Sequence, residues 1–200
     1  MTAEHENVPH VHDAREFFGP RAAGWDDKFH DDTSAYRAAI AESAPRRGGV
    51  VVDLGCGTGR ALPLLREAVG PDGVVLGIDV TPEMLQVAHA KGRGALALAD
   101  VTQLPIAPGR IDLLFAAGIL GHVPDPRALL RALADATNAG AKLTVFHPIG
   151  RAALAARHER TLEPTELLDP SVLPGVLAEC GWHASRIEDA EERYLAIATR

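Results

Sequence analysis

Val50, Val51 and Val52 form an unbroken β-branched run that passes through Asp53 and Leu54 into a turn with glycine at every second position, Gly55, Gly57 and Gly59. Such a run suits a strand covered on both faces, as in a parallel sheet. Glycines at a strand exit adopt dihedrals closed to other residues and let a ligand approach the backbone. A helix is expected next: Leu62, Leu65 and Val69 share one face, and Pro63 lies in the first turn, where a missing N–H is tolerated. Strand, glycine turn and helix together open an α/β sheet, and ligands of such sheets sit beyond the carboxyl ends of the strands. No other feature restricts the chain as strongly.

The remainder keeps the same alternation. Val74, Val75, Leu76, Gly77, Ile78 and Asp79 read as a second buried strand. Thr81, Pro82 and Glu83 then open a helix with a capping hydroxyl, a first-position proline and a carboxylate at the positive dipole end. Residues 94–100, 111–117 and 141–147 read as strands three to five. Asp125 and Pro126 repeat the cap-plus-proline start, with Leu129, Leu130 and Leu133 as the buried stripe. A last helix is expected over 171–180, limited by Pro174. Residues 185–188 and 194–199 are β-rich and joined by a short polar loop, which predicts an antiparallel edge. Ahead of the sheet, residues 13–18, 21–29 and 33–44 read as short helices and residues 1–10 as a flexible tail. The expected class is α/β, a three-layer sandwich.

The length of 200 residues fits one domain. With 27 acidic against 20 basic residues and no basic run, a nucleic-acid partner is not expected. The apolar stretch 113–120 is too short to span a bilayer, and the polar start is no signal peptide. Cys56 and Cys180 have neither metal nor disulfide-framework spacing, so a reduced, cytoplasmic protein without a metal is expected. His5, His10, His12 and Asp13 could hold a metal, but they lack a fixed supporting shell and read as chance.

Three carboxylates end the first three strands: Asp53, Asp79 and Asp100. Asp79 stands where an acid accepts from a ribose diol, and Asp100 where one accepts from an amino group. Asp53, at the turn itself, would repel a pyrophosphate and favour a ligand with an ammonium and a sulfonium. S-adenosylmethionine has both. A nicotinamide-dependent oxidoreductase is the rival enzyme, but its fingerprint sets the third glycine one place later.

These residues resemble the class I S-adenosylmethionine-dependent methyltransferases, in the branch that includes quinone-biosynthesis enzymes. The likeness is carried by residues 51–59, by Gly77, Ile78 and Asp79 with residues 81–85, by Ala99 and Asp100, and by 111–112 through 121–125. It spans residues 11–200, with 11–45 as a helical lid and 48–200 as a cofactor-binding core, a single methyltransferase domain. It implies a Rossmann-like, seven-stranded, mostly parallel sheet in the order three-two-one-four-five-seven-six, with strand seven antiparallel.

The resemblance also implies roles. Gly55, Gly57 and Gly59 shape the turn around the methionine moiety, and Asp53 orients its amino end. Cys56 fills tight space there. Asp79 holds the ribose hydroxyls, with Val80 and Met84 packing beside the nucleoside. Asp100 accepts from the adenine amine, next to Val101. Ala117 and Gly118 lie near the methionine part. S-adenosylhomocysteine is the product left behind.

The expected reaction is direct in-line methyl transfer to a small-molecule acceptor. His122, on the loop after strand four, is the candidate base, and His147, at the end of strand five, borders the acceptor. A structural reading competes for His122, as a side chain that bonds backbone groups and fixes its loop. Phe18 and Trp25, with Phe17, read either as an acceptor wall or as anchors of the lid helices. Arg151, Arg157, His158 and Arg160 read as a solvated helix face ahead of a grip on an anionic acceptor. A protein that binds the cofactor without catalysis is the remaining alternative.

Overall fold

The computed structural model describes residues 11–28, 32–104 and 106–200. Seven strands form one sheet: β1 (Val50–Leu54), β2 (Val74–Asp79), β3 (Ala95–Leu98), β4 (Ile111–Ala117), β5 (Thr137–His147), β6 (His183–Ala190) and β7 (Arg193–Thr199). Their order is β3-β2-β1-β4-β5-β7-β6. β1 through β5 run parallel, and β7 pairs antiparallel with both β5 and β6.

Apolar side chains leave both faces of β1, which is why its valine run is continuous. Val52 and Leu54 join one core with Leu129, Leu130 and Leu133 of helix α6 (Pro126–Ala136) and Leu173, Val176 and Leu177 of helix α8 (Leu173–Glu179). Val51 joins the other, with Ala39 and Ile40 of α3 (Thr33–Ser43) and Leu62, Leu65 and Val69 of α4 (Leu62–Val69). Two buried layers around one sheet make the three-layer sandwich. Trp182 is 0 % exposed in the first core, and its indole N–H donates to Leu130 O at 2.9 Å.

The remaining helices are α1 (Val11–Phe18), α2 (Trp25–Lys28), α5 (Pro82–Ala90) and α7 (Arg151–Arg157). Several boundaries differ from the sequence expectation. A 3-10 turn, Gly19–Gly24, replaces the start of the second helix, because Pro20 enters it at the first positions. β5 begins at Thr137, four residues early; the register against β4 shifts between Ile111 and Leu113 and absorbs the extra length. α8 starts at Leu173, just ahead of Pro174.

The largest correction concerns Arg151, which is only 7 % exposed. Its guanidinium pairs with Glu166 at 3.2 Å, Asp169 at 3.0 Å and Asp189 at 3.4 Å. Arg160 pairs with Glu166 as well. Arg151 is therefore an internal clamp rather than part of a solvated face, since a buried guanidinium needs carboxylate partners, whereas Arg157, His158 and Arg160 are exposed as expected.

Candidate active site

Gly55, Gly57 and Gly59 have φ of 64°, 54° and 78°. A Cβ on Gly55 would lie 2.6 Å from Ile119 Cδ1, so both the dihedral and the space require glycine. Opposite the turn, a Cβ on Gly77 would lie 2.8 Å from Cys56 Sγ. Cys56 fills the gap that Gly77 leaves, and burial, with Asp53 and Asp79 adding to it, pushes its thiol far above the range of a nucleophile.

Asp79 ends β2 with both carboxylate oxygens bonded: one accepts from Gly57 N–H and the other from Thr81 N–H, each at 2.8 Å. It thereby ties the glycine turn to the start of α5. The Thr81 side chain and the Val80 amide also bond this carboxylate. Burial raises its carboxyl above the ordinary value, against the pull of the Thr81 and Gly57 amides. Asp53 is 2 % exposed; burial first, and the charge of Asp79 second, push it well above the usual carboxylate range. A cationic ligand group beside Asp53 would reverse both effects.

Met84 and Val101 are buried, Met84 with Sδ 3.9 Å from the position of a Cβ on Gly57. Val80 is half-buried and its carbonyl accepts from Arg15 Nε at 2.8 Å. Asp100 uses one oxygen to cap the turn Val101–Gln103, accepting from Thr102 N–H and Oγ–H at 2.8 Å each. Ala117 ends β4 and Gly118 follows it with φ of 72°.

The N-terminal helices lie against this turn. Asp26 accepts from Thr58 Oγ–H, from Lys91 Nζ and from Arg93 at 2.6 Å, and Arg93 also donates to Thr58 O at 2.7 Å. Burial opposes ionisation of Asp26, but the bonds from Arg93, Lys91 and Thr58 outweigh it and hold the carboxyl far below its ordinary range. The latch is thus intact at neutral pH and lost only in strong acid. Asp26→Asn is expected to speed amide hydrogen exchange over residues 14–28 by roughly tenfold, the loss of about one charge-assisted bond. Unchanged exchange there would show that the latch carries no weight. Arg93 had no signal in the sequence; 67 residues separate it from Asp26.

On the far side, Phe18 meets Trp25 edge-on at 5.4 Å and His122 at 5.2 Å. His122 Nδ1 is buried and has no hydrogen-bond partner, so the loop-fixing bond expected under the structural reading is not made by that nitrogen. Burial lowers the affinity of His122 for a proton, and His147 and His158 add repulsion. His147 Nδ1 lies 3.0 Å from Ile149 O. His5 and His10 lie outside the described residues, as do the side chains of His12 and Asp13; among described residues no cluster could hold a metal.

A family model described as a methyltransferase domain matches residues 52–145, a span that takes in the glycine turn, all three strand-end acids and His122. Residues 52–145 are thus a methyltransferase domain of the class I S-adenosylmethionine-dependent type. The family's cofactor is S-adenosylmethionine. Trans-aconitate 2-methyltransferase of Methylobacterium radiotolerans is 34% identical over 157 residues, 66% of this chain and 58% of that one. A ubiquinone biosynthesis O-methyltransferase of Idiomarina loihiensis is 31% identical over 146 residues, 60% of this chain and 58% of that one, so the likeness to the quinone branch is no greater. An S-adenosylmethionine-dependent methyltransferase structure from Aquifex aeolicus shares the fold, with TM-score 0.73 and 22% identity over 90% of this chain and 97% of that one. The chain spans between about a third and two thirds of the length of the curated relatives it matches.

The methyltransferase cofactor fits what the site presents. Two buried acids whose ionisation a neighbouring cation would favour, beneath a turn whose three glycines have positive φ, suit a cationic nucleoside, whereas a diphosphate would hold them un-ionised. No described helix is long and apolar enough to cross a membrane.

Proposed function

We propose that this domain catalyses direct methyl transfer to a small-molecule acceptor. The observation that carries the reading is the buried Asp53–Asp79 pair beneath the positive-φ glycine turn. The trans-aconitate methyltransferase relative, named for a small-molecule acceptor, supports it. When bound, S-adenosylmethionine supplies a methyl group on sulfur that is already an activated leaving group.

Gly55, Gly57 and Gly59 would receive the methionine part, with Cys56, Ala117 and Gly118 bounding it. Asp53 would orient the amino end. Asp79 would take the ribose hydroxyls, and Asp100, through its second oxygen, the adenine amine. Val80, Met84 and Val101 would supply the apolar walls. Phe18 and Trp25 on the lid side exclude water and border the acceptor. Positioning of this kind removes several kcal/mol of barrier, about 7–11 in the best intramolecular cases. His122 would take a proton from an acceptor that must lose one. Location in the cytoplasm, suggested by two free cysteines that are both buried, belongs to the same reading.

Because burial lowers the proton affinity of His122, its base form dominates at neutral pH. Turnover is expected to fall only as pH drops below the ordinary histidine range. His122→Asn should lower kcat by about 10²–10⁴-fold and abolish that acid limb. Unchanged turnover and profile would remove His122 as the base. Calorimetric titration tests the whole reading: S-adenosylhomocysteine should bind and NADH should not. Tight NADH binding with no response to the sulfur nucleoside would overturn it. Isotope-labelled cofactor incubated with cell-extract metabolites, with product mass as readout, identifies the acceptor.

A further inference from the structure

We propose that the end of β5 and the helix after it bind an oxyanion of the acceptor, carboxylate or phosphate, through His147, Arg157 and His158. The inference rests on the methyltransferase reading and names the acceptor class for that same site.

β4 and β5 are parallel, with Ala117 paired to Phe146, and Gly118 N–H donates to Phe146 O at 2.9 Å. His147 therefore stands beside Gly118 at the strand tips. Its Cδ2 is 3.8 Å from the position of a Cβ on Gly118. His147 Nδ1 lies 3.0 Å from Ile149 O and 3.3 Å from Ile149 N: a neutral Nδ1 accepts from that N–H, and a protonated one donates to that carbonyl, and in either state Ile149 occupies Nδ1 rather than Nε2. A protonated ring donates from both nitrogens: one N–H to Ile149, the other to an anion.

Four basic residues follow β5 between positions 151 and 160, at 151, 157, 158 and 160. Arg151 and Arg160 are consumed by Glu166, Asp169 and Asp189. Arg157 and His158 are exposed and enter no ion pair among the described residues. Both act electrostatically on His147, and His158 acts on His122 too. Asp32, the acid that acts on His147, is already paired to Arg60 at 3.4 Å. Glu166, Asp169 and Asp189 are spent on Arg151 and Arg160, which leaves Arg157 and His158 as the cations of this stretch outside any described ion pair. Burial, the largest influence, lowers the proton affinity of His147, with Arg157 and His158 adding to it against Ile149 and Asp32. An anion that reaches His147 should bring a proton with it.

The test uses protein saturated with S-adenosylhomocysteine, titrated calorimetrically with citrate and separately with inorganic phosphate. Each titration is run at pH 6 and pH 8 in buffers of different ionisation heat. At least one anion is expected to bind, with uptake of about one proton per anion and roughly tenfold weaker binding at pH 8. The stronger of the two arms identifies the oxyanion. His147→Gln and the double substitution Arg157→Gln, His158→Gln should each weaken it by about tenfold or more, with S-adenosylhomocysteine affinity unchanged. If the sulfur nucleoside binds and neither anion does, or the variants bind the anion like the parent, this inference alone falls. If the nucleoside itself fails to bind, the methyltransferase reading falls with it.

Discussion

Asp79→Ala should weaken S-adenosylhomocysteine binding more than any other single change in the site. The carboxylate holds Gly57 N–H and Thr81 N–H at 2.8 Å each. Its loss leaves one buried and one part-buried donor unpaired, at about 1–3 kcal/mol each, which corresponds to roughly 30- to 10⁴-fold in affinity if the turn no longer holds its shape. Loss of the proposed ribose contact adds to this. Asp79→Asn should fall between, since its amide oxygen can serve one of the two amides but its NH₂ group opposes the other. Calorimetry measures the affinities, and thermal melting checks that both variants fold. An Asp79→Ala protein that binds within threefold of the parent would remove the carboxylate from the cofactor site.

The largest effect on stability is expected at Trp182. It is fully buried between α6 and α8, and its indole bonds Leu130 O at 2.9 Å. Trp182→Ala leaves a cavity in the core beneath β4 and β5 and should cost about 3–5 kcal/mol. That corresponds to a fall in the urea midpoint of more than about 1 M. Trp182→Phe should lose less, because most of the ring volume stays and only the N–H bond goes. A Trp182→Ala midpoint within about 0.3 M of the parent would show that the core collapses to fill the space.

The alternation of strands and helices and the ligand end of the sheet were legible in the sequence because they depend on local signals, while the strand order came with the family resemblance. The valine run at 50–52, the alternate glycines and the Thr81-Pro82 and Asp125-Pro126 helix starts each act within a few residues, and each lies where it was expected. Recognition of the family supplied the position of β7 between β5 and β6, which residue patterning alone leaves open. What stayed hidden depends on distant partners. Nothing around Arg151 announces that Glu166, Asp169 and Asp189 will bury it. Nothing around Asp26 announces Arg93. The orphaned Nδ1 of His122 is likewise a property of Phe18 folded against it, and no spacing near residue 122 encodes that.

The insertion of β7 between β5 and β6 fixes the sequence of events during synthesis. Among the described strands, β7 is made last, yet β6 has no other neighbour, and β5 meets no further strand until β7 arrives. A nascent chain emerging from the ribosome can zip β1 to β5 early, but it carries one raw sheet edge and an unpaired β6 until residues 193–199 slide in. The interval before that closure is when a chaperone has something to hold, and a stop codon placed just before Arg193 would prolong it indefinitely.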